Sequence, residues 1–413
     1  MHYWKKLSHA DQDKYITQAL AKNIDFSNKI SLGIPASKLD ALVFPEAASF
    51  LKDAPLLRSY VQNPNHIGCH TEGSSENFFA GTQEIERQVI EILSVDLLKA
   101  APNSCDGYIA GGGTEANIQA IWMYRNYFIR AMGFTHDEIA LLTSEDTHYS
   151  IAKAANLLGL KWFPVPVDYK TRELLKEELE SIIDNAMQDG IKGFIVVANM
   201  ATTMFGSVDN PELYVRALEK RSLPFKMHID GAFGGFIYPV SHPGNLLSFL
   251  NPYVTSITLD AHKMLQAPYG TGVFLTRKNY IQNVLTKEAQ YVHGMDVTLS
   301  GSRSGANAIA VWMILSTYGP FGYMEKINKL LYRTAYCCSE LDNLDIPYYR
   351  HPHMNIIAIE ASYIPGELSI KYGLVPDSHE QNPRWYKIVV MEHVGMDEIQ
   401  RFISDLKKIN VAV

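Results

Sequence analysis

The chain has 413 residues, 47% of them hydrophobic and 20% charged, with a formal net charge of −7. That length suits more than one domain, and the composition is that of an ordinary globular protein with ample core. The acidic balance gives no electrostatic footprint for nucleic acid, and no uncharged apolar run reaches the roughly 18 residues of a membrane span. The opening residues lack the apolar segment of a signal peptide, and Cys69, Cys105, Cys337 and Cys338 show no CxxC spacing. All four are expected as free thiols of a cytoplasmic protein.

In chain order, residues 1–65 read as an arm, with a polar helix near Asp11 to Lys22 followed by proline-punctuated segments. The following loop carries His66, Cys69 and His70, which read as cleft lining because no second cluster has metal-ligand spacing. From Gln83 to Leu98, Ile85, Val89, Ile92 and Leu93 fall on one face of an amphipathic helix. A short strand, Tyr108 to Ala110, then meets Gly111, Gly112, Gly113 and Thr114 at the start of a helix running to about Arg130. Glycines before a helix start expose backbone N–H groups where the helix dipole is positive, which makes a phosphate seat. The stretch is neither GxGxxG nor a Walker motif.

The strand Ile139 to Thr143 ends shortly before His148, at a helix start. A strand from Lys161 to Val167, a charged helix from Glu173 to Gln188 and a strand from Gly193 to Ala198 continue the alternation of a mostly parallel sheet. Thr202 and Thr203 follow at a strand end, where Thr202 is a candidate cofactor contact, and a helix spans Pro211 to Arg221. Next come two strands that each deliver charge. Phe225 to Ile229 ends at Asp230, with Ala232 and two glycines after it, and Thr255 to Leu259 ends at Asp260, Ala261, His262 and Lys263. In an α/β sheet, ligands bind at such carboxyl ends. An acid for a pyridinium nitrogen and a lysine for a Schiff base are the needs of a pyridoxal phosphate enzyme.

Beyond Arg277 a helix-like run, Asn279 to Glu288, leads to a loop with Tyr291 and His293. The Gly301 to Gly305 turn, with Ser302 and Arg303, opens an apolar helix. A smaller α/β unit follows, with a helix from Met324 to Leu344, strands at Asn355 to Glu360 and Trp385 to Met391, and a closing helix from Met396 to Lys408. The division is thus an arm at 1–65, a large cofactor-binding domain at 66–318 and a small domain at 319–413.

Taken together these segments resemble the group II pyridoxal phosphate-dependent amino-acid decarboxylases. The resemblance rests on strand-D-x-A-x-x-G-G, D-x-H-K followed by Gly-Thr-Gly, and S-G-G-T-E-A-N with Ala110 in place of the serine. It rests also on G-T-T-x-x-G-x-x-D with Ala201 for the first glycine, and on G-T/S-R-S/P-G. It runs from about residue 60 to the end, and the pieces HPHMNIIAIE and YKIVVMEHVGMDEIQRFISDL are similar to the archaeal tyrosine and aspartate decarboxylase branch.

The resemblance implies fold type I, the aspartate aminotransferase-like α/β fold with a mostly parallel central sheet and a smaller C-terminal α/β domain. It implies pyridoxal phosphate on Lys263, Asp230 at the ring nitrogen, His148 and Ala232 on the two ring faces, and phosphate on Gly112, Gly113 and Thr114. His262 and Ser302 are further phosphate candidates. Arg303 is expected to hold the substrate carboxylate, with Lys263 or Tyr291 returning a proton to Cα. The family pattern further implies a homodimer acting on an L-amino acid, with tyrosine, aspartate and glutamate foremost. A carbon–carbon lyase resembling sphingosine phosphate lyase is the alternative, though it would need a second anion site and no second glycine cradle is visible.

Overall fold

The computed structural model describes residue 30 and residues 32–33, 40, 42–43, 80–287 and 294–410. The helix expected near Asp11, the loop with His66, Cys69 and His70, and both Tyr291 and His293 lie outside the described residues.

Seven strands form one sheet among the described residues: β1 (Cys105–Ala110), β2 (Ile139–Ser144), β3 (Lys161–Val165), β4 (Gly193–Asn199), β5 (Phe225–Gly231), β6 (Val254–Asp260) and β7 (Gly272–Arg277). Their order is β1-β7-β6-β5-β4-β2-β3, parallel throughout except that β7 runs against both neighbours. The central strands IALLTS, GFIVVAN and VTSITLD are buried at every position, as expected of a sheet covered on both faces. Edge strand β3 is partly exposed and accommodates Pro164, whose missing N–H would break a ladder inside the sheet.

The crossovers are helical. α1 (Ala80–Glu91) passes into a π-helical turn at Ile92–Leu97, so the single amphipathic helix expected to Leu98 changes winding midway. α2 (Gly113–Met132) and α3 (Tyr149–Leu158) end at Gly133 and Gly159, whose φ of 70° and 64° supply left-handed caps. α4 (Lys176–Gln188) and α5 (Pro211–Glu219) complete the layer, and the Asn210 side chain caps α5 by accepting from the Glu212 N–H at 3.1 Å.

Strand β7 was not anticipated from the sequence, and its return is made possible by glycine. A Cβ on Gly272 would sit 2.5 Å from the Gly112 backbone, so only glycine lets β7 lie against the glycine-rich turn. The helix expected over Asn279 to Glu288 is corrected to one 3-10 turn at Ile281–Val284. The Asn283 carbonyl that would propagate it instead accepts from Asn126 Nδ2 and Arg130 Nη1 of α2, each at 2.9 Å.

α6 (Gly305–Asp342) leads into the second unit and breaks at Gly319 (φ 59°, ψ 179°) beside Pro320. There β8 (Tyr348–Tyr349), β9 (Ile356–Glu360), β10 (Val375–Pro376) and β11 (Trp385–Val389) make an antiparallel sheet in the order β10-β11-β9-β8. α7 (Gly366–Tyr372) and α8 (Met396–Asn410) accompany it, and its core runs through Leu341, Ile357, Ile388 and Phe402. One described arm residue is tied in strongly: Asp40 accepts from buried Lys326 of α6 at 2.6 Å. No helix among the described residues is long and apolar enough to cross a membrane. Cys105, Cys337 and Cys338 are buried free thiols.

Candidate active site

At the carboxyl ends of β5 and β6 the chain places Asp230 and, just past β6, Lys263. These strands are neighbours in parallel register, Asp230 opposite Thr258, so the two ionisable residues converge on one edge. Asp230 is buried and accepts from Asn117 Nδ2 at 2.8 Å and from the Ala232 N–H at 3.1 Å. Lys263 Nζ lies 3.1 Å from Asp260 Oδ2 on the same turn, and His262 Nε2 lies 3.6 Å from that oxygen.

Around them is a cavity of about 480 Å³ lined by Gly112, Gly113, Thr114, His148, Ala232 and Lys263, together with Asn117, Asp260, His262 and the two tyrosines Tyr149 and Tyr269. His148 caps α3: its Nδ1 accepts from the Ser150 N–H at 3.2 Å. Burial pulls the His148 imidazole below the ordinary histidine range, the Lys263 charge adding to this while Asp230 opposes it. The His262 ring stacks on Tyr269 with centroids 4.3 Å apart, and burial likewise lowers its pKa.

These residues fit pyridoxal phosphate. The first turn of α2 has N–H groups with no acceptor inside the helix. A Cβ on Gly113 would come within 2.8 Å of Asp260 Oδ2 and 3.1 Å of Ala232, closing the space before that turn. Among the described residues His262 Nδ1 and Asp260 Oδ1 are buried without a hydrogen-bond partner, an arrangement that a polar ligand would satisfy.

Three of the expected site residues are placed elsewhere. Arg303 is buried and directs its guanidinium at both oxygens of Glu86 of α1, Nη2 to Oε2 at 3.1 Å, while Nη1 also reaches the Ile109 carbonyl at 3.3 Å. Its fork is matched to a protein carboxylate, and Arg303 does not line the cavity. Thr202 shares a 2.6 Å hydrogen bond with Ser207 and stabilises its own turn. Ser302 is exposed and outside the lining.

Residues not singled out in advance take prominent positions instead. Asn117 and His228 stand behind Asp230, and Asp260 holds Lys263. Lys387 of β11 is 3% exposed, donates to the Thr203 carbonyl at 3.0 Å and feels the charge of Lys263. Asn117 was legible as part of the G-T-E-A-N run. Lys387 had no signal beyond a charge inside an apolar strand.

An acid and a lysine on adjacent parallel strands, facing a glycine-rich helix start, define a fold type I pyridoxal phosphate enzyme. The chain belongs to the pyridoxal-dependent decarboxylase family, whose conserved-domain model matches residues 81–348. It is 51% identical to tryptophan decarboxylase of Clostridium sporogenes, over 99% of this chain and 98% of that protein. A probable L-tyrosine/L-aspartate decarboxylase of Methanocella arvoryzae is 32% identical over 87% of this chain and 94% of its own. Among solved structures, Lactobacillus brevis glutamate decarboxylase superposes with a TM-score of 0.79 at 19% identity, covering 100% of this chain and 94% of that one, a likeness of fold. The protein is accordingly a pyridoxal phosphate-dependent amino-acid decarboxylase, a carboxy-lyase.

The Arg303–Glu86 pair generates a prediction. Arg303→Met alone leaves a buried unpaired carboxylate and should cost about 3–5 kcal/mol in urea denaturation. Adding Glu86→Gln should recover most of that loss with KM for the amino acid within about twofold of the parent. A KM raised a hundredfold in the restored double variant would return Arg303 to the substrate.

Proposed function

We propose that the protein decarboxylates an aromatic L-amino acid, tryptophan first, to the arylalkylamine and carbon dioxide. The observation that carries this reading is the 51% identity, over nearly the whole chain, to a tryptophan decarboxylase. The cavity supports it. Tyr149 and Tyr269 stand at its wall 66% and 84% exposed, offering flat apolar faces to an aromatic side chain. Among the described lining residues the single lysine or arginine is Lys263, so the acidic side chain of aspartate or glutamate finds no second cation there.

Bound pyridoxal phosphate supplies the electron sink that accepts the bonding pair as carbon dioxide leaves. The chain supplies the rest. Lys263 is the amine that carries the cofactor, held in place by Asp260. Asp230 presents a carboxylate to keep a proton on the ring nitrogen. Gly112, Gly113 and Thr114 offer N–H groups to the phosphate, with His262 beside them, and His148 and Ala232 bound the ring. A site kept low in water favours the loss of charge as the carboxylate becomes carbon dioxide.

The substrate carboxylate needs a cation, and we assign that role to Lys387. Four lysine or arginine side chains are buried among the described residues: Arg172, Arg303, Lys326 and Lys387. The first three have carboxylate partners in Asp146, Glu86 and Asp40. Lys387 has a carbonyl instead, and burial, then the charge of Lys263, pulls its ammonium down to about 8. Like Arg303, Lys387 lies outside the cavity lining, but it is buried close enough to feel the Lys263 charge and has no carboxylate partner among the described residues, which suits it to an incoming anion.

Carbon dioxide release by the cofactor-loaded protein against a panel of L-amino acids is the test of the activity. Tryptophan should lead, tyrosine and phenylalanine should follow, and aspartate and glutamate should give none; release from the acidic pair alone would overturn the reading. Lys263→Ala should abolish turnover. For Lys387, the group is charged below about pH 8 and neutral above, so KM should rise as pH climbs through that value. Lys387→Met should lower kcat/KM roughly a hundredfold (about 3 kcal/mol), and Lys387→Arg should restore capture and remove the alkaline limb. A pH-independent KM in the parent would sink the assignment. We further propose a homodimer, for which light scattering should report twice the 46.4 kDa chain mass.

A further inference from the structure

Asp230 and His228 are two apart on β5 and therefore face the same side of the sheet, toward α2. Asn117 of α2 lies between them. Its Nδ2 donates to Asp230 Oδ2 at 2.8 Å and to Ser150 Oγ at 3.0 Å, so both of its N–H bonds are spent as donors. Asn117 Oδ1 must then accept, and His228 Nε2 stands 3.0 Å from it. That nitrogen consequently carries the proton. Thr258 Oγ1, 3.1 Å from the same nitrogen, faces it as a second acceptor.

The His228 ring is wholly buried, and burial pulls its pKa down to about 4 despite the opposing charge of Asp230. It is therefore neutral near pH 7, and with Nε2 protonated its Nδ1 is a bare acceptor. Ser256 Oγ meets Nδ1 at 2.7 Å and donates to it. Tyr124 donates its own hydroxyl proton to Ser256 Oγ at 2.6 Å, and burial pushes the Tyr124 phenol up, which keeps that proton on oxygen. Thr255 closes the far end: its Oγ1 lies 2.6 Å from the Tyr124 hydroxyl oxygen, whose own proton goes to Ser256, so Thr255 donates to Tyr124. The opposite tautomer would set the lone pairs of His228 Nε2 and Asn117 Oδ1 against each other, so the order of protons is fixed.

Every donor in this series points the same way. We propose that the buried chain Tyr124–Ser256–His228–Asn117 sets the charge and orientation of Asp230, with His228 and Asn117 acting as positioning residues for the cofactor's ring nitrogen. The inference rests on the reading of Asp230 as the partner of that nitrogen. Aligned hydrogen bonds in a low-dielectric interior polarise one another, so each link strengthens the N–H that Asn117 offers to Asp230. Deleting a link weakens that donor and unseats the carboxylate without touching the substrate's own contacts.

The test uses the holoenzyme and two deletions, His228→Leu and Ser256→Ala, beside the conservative His228→Gln. Both deletions should lower kcat, His228→Leu by ten- to a hundredfold and Ser256→Ala less, with KM for the amino acid within twofold. The pH titration of the bound cofactor's absorbance, recorded without substrate, should shift in both. His228→Gln, which keeps an N–H for Asn117, should recover most of kcat and return the absorbance titration toward the parent. Should His228→Leu fail to fold, Ser256→Ala decides. Parental kcat and an unshifted absorbance titration in the folded deletions would overturn the proposal. Asp230→Ala separates the two readings: retained turnover there would sink the role of Asp230 itself, whereas lost turnover beside silent His228 and Ser256 variants would sink only the chain behind it.

Discussion

The hydrogen bond from Asn117 to Asp230 is the contact on which the layout of the site depends. A carboxylate buried at the end of a strand is costly unless donors meet it. The principal donor comes from the second turn of α2, the helix whose first turn, at Gly113 and Thr114, is the proposed anion seat. One rigid helix thus sets the spacing between Asp230 and the glycine-rich turn, the two groups proposed to hold the ring nitrogen and the phosphate. Gly272 adds the third tie, because the approach of β7 to Gly112 fixes the glycine-rich turn against the sheet. The separation of the two ends of the cofactor site is written into helix geometry.

The other charges of the interior follow the same rule with different partners. Asp260 takes Lys263, Glu86 takes Arg303, Asp40 takes Lys326 and Asp146 takes Arg172. The Glu86–Arg303 pair does more than neutralise. Glu86 Oε1 also accepts the Ile109 N–H at 2.7 Å, so it stitches α1 and the start of α6 to β1, the strand that leads into the glycine-rich turn. Glu115, in the first turn of α2, accepts from the Gly111 N–H at 2.8 Å and from Ser300 Oγ at 2.9 Å. The glycine-rich loop is thus braced from both sides by carboxylates, Glu86 through β1 and Glu115 at the cavity wall.

Much of this was legible in the sequence, and what was not has a common cause. The acid after Phe225–Ile229 and the His262-Lys263 pair after Thr255–Leu259 announce themselves because charge at a strand's carboxyl end is exposed by the local pattern alone. The three glycines before α2 do the same. The Glu86 partner of Arg303 was not legible because it lies 217 positions away, and a turn arginine looks the same whether it meets a substrate or Glu86. Asn279 to Glu288 looked helical because nothing local reveals that α2 takes the Asn283 carbonyl. Lys387 sits in W-Y-K-I-V, where alternation puts it on one face with Trp385 and Val389; its buried contact, with the Thr203 carbonyl, lies far away in the sequence. The errors are all long-range contacts.

Lys387 in place of Arg303 as the proposed partner of the substrate carboxylate would alter the energetics of the reaction. Guanidinium meets a carboxylate with two parallel hydrogen bonds, and that grip is strongest in the ground state, where the carboxylate still exists. Any interaction stronger with substrate than with the transition state raises the barrier to losing carbon dioxide. Ammonium is a point charge, and that of Lys387 is already shared with the Thr203 carbonyl and easier to deprotonate than an exposed lysine. It can steer the carboxylate into the site while yielding as its charge drains into the cofactor ring. A buried lysine partnered by a carbonyl is, on these grounds, better matched to expelling carbon dioxide than a buried arginine, and the chain keeps its buried arginines on its own acids.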